Sequence, residues 1–267
     1  MPNSPLSDSH GPLLRRIAST TRNVRIDILD EQETLLAPVG LCDLCSMPNK
    51  PDYDYCYPCS TAPRAAVDGL IPLAFAPKGE QLYRDLVAYK RQSTPSPAFR
   101  RLAALARVSS RHMPCIERVY GAIDTLTVVP STQGRSKGML WALARALCPD
   151  RPRARLDYVG PATTHETKRR EPVDGDFAAG SEVRGKRVLL VDDSWVTGAA
   201  AFSAAADLRA AGAASVVVTV LGRVLDPRNW LYTQTFLDMW QDCGIPTAYD
   251  PAVCPATRRP HCPARDE

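Results

Sequence analysis

With 267 residues the chain can bury a sizeable core, and its 45 % hydrophobic and 23 % charged content is that of a globular protein in water. No apolar run approaches the roughly 18 residues a membrane-spanning helix needs, and Met1 to Pro12 lack the basic and apolar regions of a secretory leader. A cytoplasmic protein with no membrane partner is expected, and a net charge of +4 is too small to imply nucleic acid by itself.

Residues 1–22 hold Pro, Ser and Asn without sustained periodicity, which predicts a disordered tail. Val24, Ile26 and Ile28 alternate with Arg25 and Asp27, predicting a short strand with Thr34 to Val39 as hairpin partner. Then come Cys42-Asp-Leu-Cys45 and, ten residues later, Cys56-Tyr-Pro-Cys59. Two such knuckles have the spacing of a zinc ribbon, in which four thiolates close a tetrahedral shell. Two disulfides are the alternative, but nothing in the sequence points to secretion. With all four positions filled by protein, zinc at Cys42, Cys45, Cys56 and Cys59 supports folding and leaves no open position for catalysis.

Asp68 to Phe75 reads as a strand, and Glu80 to Lys90 as a helix through Leu82, Leu86 and Tyr89. A proline-containing loop from Gln92 to Pro97 precedes a second basic helix from Phe99 to about Arg111. Between Lys78 and Arg111 eight Lys and Arg residues stand against two acids. That density suits a phosphate-rich substrate or DNA, or no more than a solvated helix face. Leu126 to Val129 forms a short strand, followed by Ser131-Thr132-Gln133-Gly134-Arg135 and a helix from about Lys137 to Leu147. Such a loop offers N–H groups and an arginine at a sheet's carboxyl edge. Arg155 to Gly160 predicts another strand, and Pro161 to Gly185, which carries Lys168, Arg169 and Arg170, predicts a mobile loop.

The most informative stretch is Arg187-Val-Leu-Leu-Val-Asp-Asp-Ser-Trp-Val-Thr-Gly-Ala-Ala200. Its unbroken Val and Leu run reads as a buried strand of a parallel sheet, ending in Asp192 and Asp193. The loop from Ser194 to Gly198 then opens an Ala-rich helix from Ala199 towards Ala211, whose first N–H groups favour a phosphate. An acidic turn that merely caps the helix is the plainer alternative. Ser215 to Leu221 predicts a further buried strand and Asn229 to Gln241 a final helix. Cys254, His261 and Cys262 in the tail form no familiar knuckle and are expected to be free; Cys115, Cys148 and Cys243 read as small buried residues.

The apolar strand, two acids, three variable positions and Thr197-Gly198 resemble the phosphoribosyl pyrophosphate signature of type I phosphoribosyltransferases. Together with the four-cysteine ribbon, the Tyr89-Lys90 helix, Val128-Val-Pro-Ser131 and Gly175-Asp-Phe177, they resemble the ComF-like branch of that family across roughly residues 40–225. The resemblance implies an α/β fold, a mainly parallel central sheet flanked by helices and preceded by a small zinc-ribbon module. It divides the chain into a tail (1–22), hairpin and ribbon (23–66), a phosphoribosyltransferase-like domain (67–245) and a second tail (246–267).

The same resemblance places Asp192 and Asp193 on ribose hydroxyls, directly or through magnesium. It wraps Ser194, Trp195, Val196, Thr197, Gly198, Ala199 and Ala200 around a 5-phosphate. Ser131, Thr132, Gln133, Gly134 and Arg135 fall on the diphosphate, and Arg169 and Arg170 on a hood over it. The implied chemistry displaces pyrophosphate at the anomeric carbon by a base or amine, and the family often pairs subunits into a homodimer. Two departures stand out: Val196 lies where the family has Thr or Asp, and Ala200 replaces a phosphate-binding Thr. Valine can neither donate a hydrogen bond nor exchange a proton. A phosphoribosyltransferase and a degenerate nucleotide-sensing or single-stranded-DNA-binding protein of the DNA-uptake type therefore both stay open.

Overall fold

The structure is a computed structural model, and it describes residues 40–45, 48–49, 53–91, 94–133, 138–163, 171–226, 251 and 253–256. The expected strands at 24–28 and 34–39 and the helix at 229–241 lie outside them, as do Gly134, Arg135, Arg169 and Arg170.

Strands β1 (Gly40–Leu41) and β2 (Pro48–Asn49) pair antiparallel, and helix α1 (Tyr57–Thr61) follows. Four elements build the centre of the sheet: β3 (Gly69–Pro72), β5 (Thr125–Val128), β8 (Arg187–Trp195) and β9 (Ser215–Leu225). Their order is β3-β9-β8-β5, all parallel, and β4 (Phe75–Pro77) pairs with β9 just beyond β3. The strand expected from Asp68 to Phe75 is thus broken at Leu73 and Ala74. Both fragments stay on β9, because Leu73 N–H donates to Val220 O (2.8 Å) and Arg223 N–H to Ala74 O (2.8 Å).

Both faces of β8 are covered, which explains its lack of polar alternation. Val188 and Leu190 join a core with Val216, Val218 and helix α6 (Ala199–Ala210). Leu189 and Val191 join the opposite core, with Val217 and helices α2 (Gln81–Ala88), α3 (Pro97–Ser109), α4 (Met113–Tyr120) and α5 (Gly138–Leu147). This is an α/β fold with a parallel central sheet flanked by helices. The four cysteines belong to the α6 side and share its core with Phe75 and Phe202.

Two helices differ from expectation. Ser96 accepts a hydrogen bond from Phe99 N–H (3.2 Å) with Pro97 in the first turn, so α3 starts two residues before Phe99. Helix α4 was not anticipated, since Pro114 hides a helix start that tolerates proline in its first turn. The region expected to be one loop from Pro161 to Gly185 contains β7 (Phe177–Ala179), which pairs antiparallel with β6 (Leu156–Tyr158). Its anchor is distant in sequence: Asp207 on α6 accepts from Gly175 N–H and Phe177 N–H, both at 2.8 Å.

The register locates the site. Strand β5 pairs with β8 only as far as Val128 beside Val191, whereas β9 follows β8 to Trp195 beside Arg223. Past Val191 one edge of β8 is therefore released from β5. The chain after β5 goes to α5 on one face, and the chain after β8 goes to α6 on the other. Such a divergence leaves a crevice at the carboxyl ends of the strands, where open α/β sheets take their ligands.

Candidate functional site

Asp192, Asp193, Ser194 and Trp195 belong to β8 itself, so the strand runs four residues past the apolar run read from the sequence. Their backbone runs beside β9; the Asp193 and Ser194 side chains meet each other, while Trp195 joins the core on the α6 side. Asp192 is half-buried, and its Oδ1 accepts from Asp193 N–H at 2.8 Å. Asp193 is 8 % exposed and fully engaged. Lys90 Nζ lies 2.6 Å from its Oδ1, Ser194 Oγ donates to the same oxygen at 2.6 Å, and the Tyr89 hydroxyl donates to Oδ2.

Burial pushes the Asp193 carboxyl up, but the Lys90 charge and the hydrogen bonds from Lys90, Ser194 and Tyr89 outweigh it. The net result lies below the usual carboxylate range. A depressed folded-state value means that ionised Asp193 stabilises the fold above the unfolded value of about 3.9 and ceases to do so as pH falls through the folded value. Asp193→Asn is expected to cost about 2 kcal/mol at neutral pH and to flatten the acid limb of the stability curve. Thermal melts between about pH 6 and pH 3 check this; an acid limb identical to the wild type would refute the pairing.

The turn after β8 is built around two residues. Gly198 has φ +81°, and a Cβ there would fall inside the Trp195 ring. Trp195 is buried edge-on to Phe202, with ring centroids 5.1 Å apart, so it props the turn from beneath. Val196 is 51 % exposed at the crest. Thr197 Oγ1 accepts from Ala199 N–H at 3.4 Å; Ala199 is buried and Ala200 half-buried in the first turn of α6. Of the residues expected around a phosphate, Trp195 and Ala199 thus have buried side chains.

Beside the turn, Val129 N–H donates to Val191 O at 2.9 Å and carries the Ser131 loop along the released edge. Ser131, Thr132 and Gln133 are half-buried there; Thr132 and Thr163 hydroxyls meet at 2.7 Å, and Thr163 N–H donates to Thr132 O at 3.0 Å. Strand β8 and the Ser131 loop therefore line up along one sheet edge.

Sequence reasoning missed Arg223. It is 3 % exposed on β9, and its Nη1 donates to Trp195 O (2.9 Å), Val196 O (2.8 Å) and Val224 O (3.1 Å). Its Nη2 reaches Cys45 Sγ at 3.8 Å. One guanidinium thereby joins the turn after β8 to the cysteine cluster. The signal was an arginine inside an otherwise apolar strand. Tyr89 and Lys90 were noticed as a pair but given no role in the site.

Cys42, Cys45, Cys56 and Cys59 are at most 1 % exposed, with their sulfurs all within 4.8 Å of one another. Cys45 N–H donates to Cys42 Sγ at 3.5 Å, and Cys45 and Cys56 sulfurs are 3.5 Å apart. Hydrogen bonds from Cys45, Cys56 and Cys59 pull the Cys42 thiol well down, whereas those with Cys42 and Cys45 push Cys56 and Cys59 up. Four sulfurs so placed can hold a metal ion, whose charge lets all four ionise.

In the basic segment Lys78 pairs with Asp226, Lys90 with Asp193 and Arg101 with Asp85. Arg84, Arg91, Arg100, Arg107 and Arg111 are exposed. Among the described residues no helix is long and apolar enough to cross a membrane.

No family model and no curated protein matches the sequence. A solved structure described as the allosteric regulatory enzyme of purine biosynthesis is 26 % identical over 43 % of this chain and 26 % of that one, with a TM-score of 0.28. The chain thus spans about a quarter of that enzyme's length.

Proposed function

We propose that the crevice binds phosphoribosyl pyrophosphate or a related ribose 5-phosphate ligand together with magnesium, in the manner of a ComF-like type I phosphoribosyltransferase. The observation that carries this reading is the released edge of β8. It brings two adjacent carboxylates and a left-handed glycine turn leading into α6 to one place. Carboxylates suit ribose hydroxyls or a magnesium ion, and the amides of residues 194–200 suit a phosphate. Magnesium, held by Asp192 with the diphosphate, would supply charge for the leaving group. Asp193, already neutralised by Lys90, positions the strand end and its neighbour. Ser131 to Arg135 would meet the diphosphate, and Arg169 and Arg170 would cover it. Val196 offers no proton-transferring group at the crest, so ligand binding is the firmer part of the reading and transfer to a base or amine the further step.

The four cysteines are assigned a structural zinc, from the softness of the donor set and the knuckle spacing. A nucleic-acid-binding protein is the second reading, and the five exposed arginines favour it.

Thermal shift with magnesium tests both. Phosphoribosyl pyrophosphate at a hundredfold its Kd stabilises by about 2.7 kcal/mol, a rise of roughly 5 °C or more. Asp192→Asn is expected to lose most of that rise. No shift, or an equal shift in the variant, sinks the proposal; stabilisation by a single-stranded oligonucleotide that collapses with salt would favour the second reading.

A further inference from the structure

Helix α4 begins on His112-Met-Pro-Cys115, which repeats the i, i+3 spacing of the two cysteine knuckles. Cys254 lies far along the chain yet is fully buried, packed with Cys115 and Ala256. A ring nitrogen of His112 and the sulfurs of Cys115 and Cys254 all lie within 4.8 Å of one another. His112 Nε2 is 2.9 Å from the Pro251 carbonyl oxygen. A carbonyl only accepts, so Nε2 carries the proton and, in the neutral ring, Nδ1 carries the lone pair. Histidines that bind metals are oriented in this way, with the second nitrogen donating to a backbone carbonyl.

Two sulfurs and one imidazole, all buried, are a donor set for borderline-soft divalent ions rather than for magnesium or calcium. Cys254 is a free thiol, while Cys115 is disulfide-bonded. A disulfide sulfur has no thiolate to give, so a metal and the disulfide compete for Cys115.

We propose that His112, Cys115 and Cys254 form a second metal-binding site, for a divalent ion of the zinc class, available when Cys115 is reduced. The ion would tie the segment around Cys254 to the start of α4. The exchange balances with a dithiol as reductant: its two thiols become its own disulfide, and Cys115 and its bonded partner become thiols. Metal entry then displaces the protons of Cys115 and Cys254 into solvent while His112 ligates as the neutral ring.

The full chain, reduced with a dithiol, desalted without oxygen and loaded with zinc, is analysed for metal by atomic emission. Wild type is expected to hold about one equivalent more than Cys254→Ser or His112→Gln, whether or not the four-cysteine cluster is filled. Cobalt titration of the reduced wild type and of Cys254→Ser is a second readout: in the wild type a second equivalent should bring its own thiolate-to-cobalt charge-transfer absorption. Equal zinc in all three proteins, or cobalt saturating at a single equivalent that Cys254→Ser retains, would overturn the proposal. A single equivalent that Cys254→Ser loses would support it.

Discussion

Replacing Gly198 with alanine is expected to lower the melting temperature by roughly 10 °C and to weaken any ligand held by the turn after β8 by tenfold or more. Two costs combine there. A side chain at φ +81° forfeits about 1 kcal/mol in the left-handed region. The added Cβ also enters the space of the Trp195 ring, which cannot retreat because it is buried against Phe202. Overpacking of that kind adds about 1–3 kcal/mol. Gly185 separates the two costs, since it has φ +70° with open space where a Cβ would go. Gly185→Ala should lose only the first contribution and leave ligand binding alone. Chemical denaturation of both variants, with thermal shift by phosphoribosyl pyrophosphate, reads the difference. A Gly198→Ala protein no less stable than Gly185→Ala would show that the turn is not propped by Trp195.

The parts of the fold legible in the sequence are those whose physics is local. The Val188 to Val191 run announced a strand covered on both faces, and β8 is covered on both faces. The i, i+3 cysteines announced a cluster, and their sulfurs meet. What escaped was set by partners far away in the chain. Residues 192–195 stay in the strand because β9 continues beside them, and no periodicity in β8 itself could show that. Tyr89 and Lys90 reach Asp193 from the turn that follows α2, 104 and 103 residues earlier, a meeting fixed by tertiary packing. Strand β7 has three residues, pairs with β6 and has its first amide, Phe177 N–H, held by the distant Asp207, so its composition alone resembled a loop. Cys254 was expected to be a free thiol in an unstructured tail; it is a free thiol, but buried against Cys115.

The largest loss is expected where cluster and crevice meet, at Cys45 and Arg223. Cys45→Ser should release about one equivalent of metal from the four-cysteine cluster and cost several kcal/mol, since that binding free energy is also folding free energy. The cluster shares a core with Phe75, Phe202 and Trp195, so its loss reaches the floor of the turn after β8. Arg223 gives that connection a specific path: one nitrogen lies at the Cys45 sulfur and the other donates to the carbonyls of Trp195 and Val196. A cysteine sulfur carrying negative charge on a metal would hold that guanidinium in place, and the guanidinium fixes the carbonyls of Trp195 and Val196. Arg223→Met keeps much of the buried volume but removes the donors, and should weaken ribose phosphate binding without releasing all of the metal. Because both residues act through one network, their effects on ligand affinity should fall short of additivity by about 1 kcal/mol or more in a double-mutant cycle. Metal content, melting temperature and ligand affinity measured on wild type, both single variants and the double variant decide it. Strictly additive losses would mean that Arg223 anchors the turn alone and that the cysteine cluster has no hold on the site.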